Sequence, residues 1–128
     1  MIVDTSAVLA ILFGEPDAKR YETAIAQAPR CRMSTASLLE ATIVVESRSG
    51  VMGGYQLDVL LERGPIELVP VTLEKAQAAR RAWRRFGKGN HPAGLNFGDC
   101  FAYALAETTR EPLLFKGSDF ALTDIESA

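Results

Sequence analysis

Short apolar runs alternate along this chain with longer segments of helical character, and this alternation restricts the fold more than any other feature. Four runs have the length and composition of strands: residues 1–3, 31–33, 66–71 and 112–115. Between successive runs lies far more chain than a hairpin needs, and parallel strands require such crossovers. The pattern predicts an α/β fold, a three-layer α/β/α domain with a central parallel sheet of about four to five short strands.

Two helical segments are predicted between each pair of strands, at residues 7–13, 17–28, 35–48, 55–62, 72–86 and 99–109. Thr72 suits the start of the helix predicted at 72–86. This helix carries Glu74 in its first turn and arginines in its last turn, as the helix dipole favours. The β-branched run at 42–45 weighs against helix in the third segment. The predicted order is β-α-α-β-α-α-β-α-α-β.

The length of 128 residues suits one domain, so we expect residues 1–128 to form a single unit. The apolar fraction of 48% is enough for a sizeable core, and the net charge is −2. Overall charge therefore gives no attraction for nucleic acid. An anionic partner would have to meet a local basic patch or a bound metal.

The cysteines and the N-terminal stretch indicate a compartment. Cys31 and Cys100 are far apart and have no metal-type spacing, so two free thiols in a reducing environment are expected. The apolar start has no basic segment before it and contains Asp4, unlike a signal peptide. No run approaches the ~18 apolar residues of a membrane span. These features predict a cytoplasmic protein without a membrane partner.

Four acidic residues stand out by position. Asp4 directly follows the first strand, Asp119 lies just beyond the last, and Asp99 begins a helix. Ligands of an open parallel sheet bind beyond the carboxyl ends of its strands, so we expect these three to face one crevice. Glu40 lies in the apolar stretch LLEATIVV with no Lys or Arg within four residues, and a buried carboxylate needs a partner or a metal.

Each acidic residue also has an ordinary structural interpretation. Asp4 could cap a helix, Asp99 could complement a helix dipole, Asp119 could belong to a turn, and Glu40 could face solvent. Their joint placement is the argument for a site. At ~5 Å and an effective dielectric constant of ~20, each like-charged pair costs about 3 kcal/mol, which favours a neutralising cation.

Oxygen-only sites suit Mg²⁺ or Mn²⁺, which polarise phosphoryl oxygens and activate water. The carboxylate set therefore indicates phosphodiester hydrolysis. The only histidine, His91, lies in a Gly/Pro loop, so a Ser-His-Asp or Cys-His arrangement has little support. The densest basic group either binds RNA phosphates or is a solvated helix end, and Lys116 lies beside the proposed site; the candidates are Arg80, Arg81, Arg84, Arg85, Lys88 and Lys116.

Three stretches of the chain resemble PIN-domain proteins, and more narrowly the VapC-type toxins of bacterial toxin–antitoxin pairs. They are MIVDTSAVLAILFGEPDA, STASLLEATIVVE and FGKGNHPAGLNFGDCFAYALAETTREPLLFKGSDFALTDI. The resemblance implies a Mg²⁺- or Mn²⁺-dependent endoribonuclease, a homodimer and a cognate antitoxin. It also implies that the family's four acidic positions, which are catalytic and hold the metal, fall on Asp4, Glu40, Asp99 and Asp119.

Supporting roles are also implied by the resemblance. Thr5, Ser6 and Ser118 would orient these carboxylates or contact a phosphate. Asp124 lies near Asp119 in the sequence and could share or replace its role through water. Two other functions compete with this one. A phosphoacceptor signalling domain is favoured only by Lys116, and a catalytically silent RNA- or antitoxin-binding protein is disfavoured by the complete carboxylate set.

Overall fold

A computed structural model describes all 128 residues. Its sheet contains four parallel strands, β1 (Ile2–Val3), β2 (Cys31–Ser34), β3 (Ile66–Val69) and β4 (Leu113–Leu114), in the order β3-β2-β1-β4. The predicted α/β fold with a central parallel sheet is confirmed. Strand β3 ends two residues earlier than expected, because Pro70 has no backbone N–H with which to continue the ladder.

Six helices connect the strands in the predicted order: α1 (Thr5–Leu12), α2 (Ala18–Gln27), α3 (Thr35–Ser49), α4 (Val51–Arg63), α5 (Leu73–Phe86) and α6 (Phe97–Thr109). Helix α4 begins four residues before the predicted segment. Glycines at 53 and 54 conceal its start, since glycine is a poor helix former. A Cβ at Gly53 would lie 2.7 Å from the Val45 carbonyl oxygen, so this glycine lets α4 approach α3 closely.

Alternate strand residues face opposite layers. Ile2 and Leu113 pack with α5 and α6 in one apolar core, whereas Val3 and Leu114 pack with helices α1 to α4 in a second core. The sheet is therefore covered on both faces, as the predicted three-layer arrangement requires.

The strand order reverses between β1 and β4. Helix pairs α1–α2 and α3–α4 carry the chain outward to β2 and β3, and α5–α6 carries it back to the other side of β1. The Asp4 N–H donates to the Leu114 carbonyl at 2.9 Å, so the chain leaves both strands side by side. This is the switch point at which ligands of parallel sheets bind.

Both cysteines are free and buried, as the sequence predicts for two unpaired thiols. No helix combines the length and apolar character that crossing a membrane would require.

Candidate active site

Asp4 lies at the switch point and also caps α1. Its Oδ2 accepts the Ser6 N–H at 3.0 Å and the Ser6 hydroxyl at 2.6 Å. Asp4 is only 3% exposed, so solvent hardly reaches it. Its Oδ1 is buried and has no hydrogen-bond partner. Burial raises the pKa of Asp4, and the charge of Glu40 raises it further. This oxygen is a buried acceptor that lacks a proton donor or a cation.

The hydroxyl residues after Asp4 have different contacts. The Ser6 hydroxyl accepts the Lys116 N–H at 2.9 Å, so it links Asp4 to the loop that follows β4. Thr5 is buried and donates its hydroxyl to the Ser37 carbonyl at 3.1 Å, which joins α1 to α3. Ser118 is exposed in the loop after β4. Of these three, Ser6 is the one that touches an acidic side chain of the site.

Asp99 is the third residue of α6 and completes a capping box with Asn96. Asp99 Oδ2 accepts the Asn96 N–H at 3.0 Å, and Asn96 Oδ1 accepts the Asp99 N–H at 2.9 Å. Burial raises the pKa of Asp99 to about 6, and the charges of Asp4, Asp119 and Glu40 contribute in the same direction. The four predicted acidic residues therefore lie in one electrostatic neighbourhood.

Glu40 reaches this neighbourhood from α3. It is half-buried, and its carboxylate packs against the backbone of Gly98, where any Cβ would overlap it. The N-terminus of α6 carries partial positive charge, which favours a carboxylate there. Sequence reasoning missed the role of Gly98. The available signal was a glycine directly before an acidic residue at a helix start, where glycine otherwise weakens the helix.

Asp119 and Asp124 differ in their surroundings. Asp119 is exposed in the loop after β4 and contributes to the field at Asp99. Asp124 accepts the Tyr103 hydroxyl at 2.5 Å and pairs with Arg85 at 2.9 Å, contacts that lower its pKa. The suggestion that Asp124 shares the role of Asp119 is thus not supported, because its oxygens join the C-terminal segment to α5 and α6.

None of the ion pairs in the chain involves Asp4, Glu40, Asp99 or Asp119. No three His, Cys, Asp or Glu side chains lie close enough together in this structure to hold a metal ion, so the four carboxylates are neighbours rather than a preformed metal centre. The donor set nevertheless fits a hard divalent cation. All its atoms are oxygens, and the buried Oδ1 of Asp4 has no other partner.

The basic residues divide into paired and unpaired groups. Lys116 was expected to be free for a phosphate, but its ammonium group binds Glu15 and Asp17, which fixes the α1–α2 connection. Arg85 is similarly engaged by Asp124. The remaining candidates are exposed and form no ion pair: Arg80, Arg81, Arg84 and Lys88.

Comparison with known proteins adds to this geometry. The family model described as PIN domain matches residues 1–126. The chain belongs to the PIN-domain family. A protein named Ribonuclease VapC from Mycolicibacterium smegmatis is 57% identical over 98% of this chain and 97% of its own length. The predicted resemblance to VapC-type PIN ribonucleases is confirmed, and nucleases of this family are generally metal-dependent.

Solved structures share the PIN fold at low sequence identity. VapC20 of Mycobacterium tuberculosis, described as a sarcin-ricin loop cleaving toxin, has a TM-score of 0.81 and 15% identity, covering 99% of this chain and 97% of that one. A toxin–antitoxin complex from Klebsiella pneumoniae has a TM-score of 0.72 and 16% identity, covering 94% and 89%. At these identities the likeness concerns the fold of the PIN domain.

Proposed function

We propose that this PIN domain, spanning residues 1–128, hydrolyses RNA phosphodiester bonds as the toxin of a toxin–antitoxin pair, with Mg²⁺ or Mn²⁺ held by Asp4, Glu40, Asp99 and Asp119. One observation carries the proposal: the buried, unpartnered Oδ1 of Asp4 lies among carboxylates that no cation of the chain neutralises. Such a set is unfavourable without a bound cation or protonation.

The divalent cation supplies polarisation of the phosphoryl group and easier ionisation of the attacking water. Asp4 and Asp99 each use one oxygen for a helix cap, which fixes the carboxylate and leaves the other oxygen for the metal. Glu40, half-buried at the α6 N-terminus, holds the metal directly or through water and accepts the proton of the attacking water. Asp119 acts at the exposed edge of the site.

In the reaction, the water oxygen forms a bond to phosphorus as the P–O3′ bond breaks in line with it. The products are a 5′-phosphate and a 3′-hydroxyl, and solvent supplies the proton for the leaving oxygen.

The competing function, a phosphoacceptor signalling domain, would need Lys116 free. Lys116 instead has two carboxylate partners, which weakens the case for that function.

We further propose a cognate antitoxin and a second copy of the chain as protein partners in the cytoplasm. The support is an apolar surface on α3 and α4 whose side chains are exposed: Leu39, Ile43, Val51, Met52, Tyr55 and Val59. Contiguous exposed apolar side chains are typical of protein interfaces. The toxin–antitoxin complex among the structural relatives and the two free thiols agree with these assignments.

Incubation of the antitoxin-free protein with end-labelled RNA and Mg²⁺ or Mn²⁺ tests the proposal. We expect cleavage that EDTA abolishes, and a loss of roughly 100-fold or more in Asp4→Asn and Asp99→Asn, because each removes a charged ligand of the cation that polarises the phosphoryl group. Asp58→Asn, at an exposed position of α4, is the matched control and should cleave normally. Cleavage that persists in both site variants, or in EDTA, would refute the proposal.

A further inference from the structure

A groove of about 610 Å³ runs between α5 and α6. We call it the α5–α6 groove. Its walls are the aromatic rings of Trp83, Phe97 and Phe101, and the small side chains of Ala76 and Ala79 leave the space between them. This volume is within the range of small-molecule sites in proteins.

The aromatic walls face solvent to an unusual extent. Trp83 is 50% exposed and Phe97 is 81% exposed, and Phe97 meets Phe101 edge-on with ring centroids 5.0 Å apart. The indole of Trp83 is backed by Gly87, where a Cβ would lie 2.6 Å from Cδ1 of the indole. The backbone of Gly87 therefore packs against one side of the indole, while half of the Trp83 side chain remains open to solvent.

Two arginines stand at the rim. Arg80 and Arg84 are one helical turn apart on α5, they line the groove, and neither forms an ion pair with a carboxylate. Arg80 bonds only to the Gln77 side chain, at 2.8 Å. Both guanidinium groups are thus available to an anionic ligand.

The groove adjoins the first turn of α6, the helix terminus that carries Asp99. Phe97 and Cys100 flank Asp99 on α6, and both line the groove. None of the four carboxylates itself lines the groove. Because Cys100 is the next residue after Asp99, the groove is within reach of a nucleotide that neighbours a phosphate at the carboxylates.

We propose that the α5–α6 groove binds one unpaired nucleotide of the RNA, with its base stacked on Trp83 and Phe97 and its flanking phosphates bound by Arg80 and Arg84. The proposal rests on the proposed ribonuclease function and adds a subsite to it. Aromatic stacking combined with arginine contacts is how proteins hold single-stranded nucleic acid. An apolar protein helix in this groove would instead leave both arginines covered and unpaired, which is unfavourable.

Trp83 is the only tryptophan of the chain, so its fluorescence reports on the groove directly. The titration uses the Asp4→Asn protein in EDTA, which prevents cleavage, and a single-stranded RNA of about ten nucleotides. We expect saturable quenching of Trp83 fluorescence by this RNA. A ribose-phosphate chain of the same length without bases should bind weakly and leave the fluorescence unchanged.

Variants separate stacking from charge. Anisotropy of dye-labelled RNA should show affinity reduced roughly 5- to 150-fold in Trp83→Leu and Phe97→Leu, the range expected for one stacked base, with recovery in Trp83→Phe. Leu68→Ala, which removes an exposed apolar side chain on β3 far along the chain from the groove residues, is the control and should bind normally. Arg84→Gln should reduce the slope of log affinity against log salt by about 0.7, the value for one phosphate contact on a single strand.

Failure of the groove and failure of the ribonuclease function give different results. Metal-dependent cleavage by the wild type, together with unchanged RNA affinity in Trp83→Leu and Phe97→Leu, would overturn the groove proposal alone. The same holds if these variants change the oligomeric mass measured by light scattering but leave RNA affinity unchanged, because the groove would then be a protein interface. Absence of RNA cleavage by the wild type would overturn the function on which the groove rests.

Discussion

Asp4 and Asp99 each use one carboxylate oxygen to cap a helix while the other oxygen remains available. The Asp4 cap bonds to Ser6, and the Asp99 cap bonds to Asn96. The sequence allows two interpretations of these aspartates, as helix caps or as metal ligands. The structure shows that one carboxylate can do both. The cap removes rotational freedom from the carboxylate before a cation arrives, and preorganised ligands bind with a smaller entropic cost.

A measurement of stability against pH tests the environment of Asp99. Burial raises its pKa from 3.8 to about 6, so the folded protein holds this proton more tightly than the unfolded chain does. The contribution of Asp99 to stability is therefore full below about pH 4 and is lost as the pH rises through about 6. In metal-free buffer, we expect Asp99→Asn to match the wild-type melting temperature near pH 4 and to exceed it near pH 7.

Asparagine keeps an oxygen that can accept the Asn96 N–H, so the helix cap survives this substitution. Asp58→Asn provides the control for a general charge effect, and its melting temperature should follow that of the wild type at both pH values. An equal difference between Asp99→Asn and wild type at both pH values would contradict the raised pKa.

For single residues, the sequence predicts which side chains belong to the candidate site better than it predicts which side chains they contact. Position relative to strands and helices predicts Asp4, Asp99 and Asp119 as site residues, and apolar surroundings predict Glu40. In the structure, the charges of the other three all act on Asp99. Lys116 was expected to be free, yet its partners Glu15 and Asp17 lie about 100 residues earlier in the chain. Such long-range pairs depend on the packing of loops, which carries no periodic signal in the sequence.

The N-terminus of α6 is the element on which the site depends most. The Asn96 capping box fixes the first turn, Gly98 leaves room for Glu40 from α3, and Asp99 follows immediately. The helix itself was predictable from its apolar pattern. The close approach of α3 to α6 could not be predicted. It depends on Gly98 having no side chain, and a single glycine leaves no periodic hydrophobic pattern in the sequence.

Substitution of Gly98 tests this close approach. Gly98→Ala places a Cβ where the Glu40 carboxylate now lies, so the carboxylate must move. We expect metal-dependent RNA cleavage to fall roughly 10- to 100-fold, the usual effect of disturbing groups that position metal ligands, while the circular dichroism spectrum stays unchanged. The matched control is Gly54→Ala in α4, where the Cβ meets only the flexible end of Glu46. Normal cleavage by Gly98→Ala would contradict the placement of Glu40.

For the whole molecule, the alternation of strands and helices was sufficient to predict the layers and the parallel sheet. The strand order β3-β2-β1-β4 was not predicted, because sequence order alone does not say on which side of β1 the last strand adds. The C-terminal segment was also missed: the Leu113 N–H donates to the Glu126 carbonyl at 2.9 Å, so this segment lies along β4. This order places Asp4 between β1 and β4, at the one point where the direction in which strands are added to the sheet reverses.

A cation that binds the folded protein but not the unfolded chain stabilises the whole molecule. The central claim is that Asp4 and Asp99 hold a divalent cation. Isothermal titration calorimetry of the metal-free protein with Mn²⁺ tests this claim most directly, because it needs neither RNA nor antitoxin. We predict saturable binding by the wild type and by Asp58→Asn, and binding at least tenfold weaker in Asp4→Asn and Asp99→Asn. Equal Mn²⁺ affinity in the wild type and both site variants would show that these carboxylates do not hold the metal.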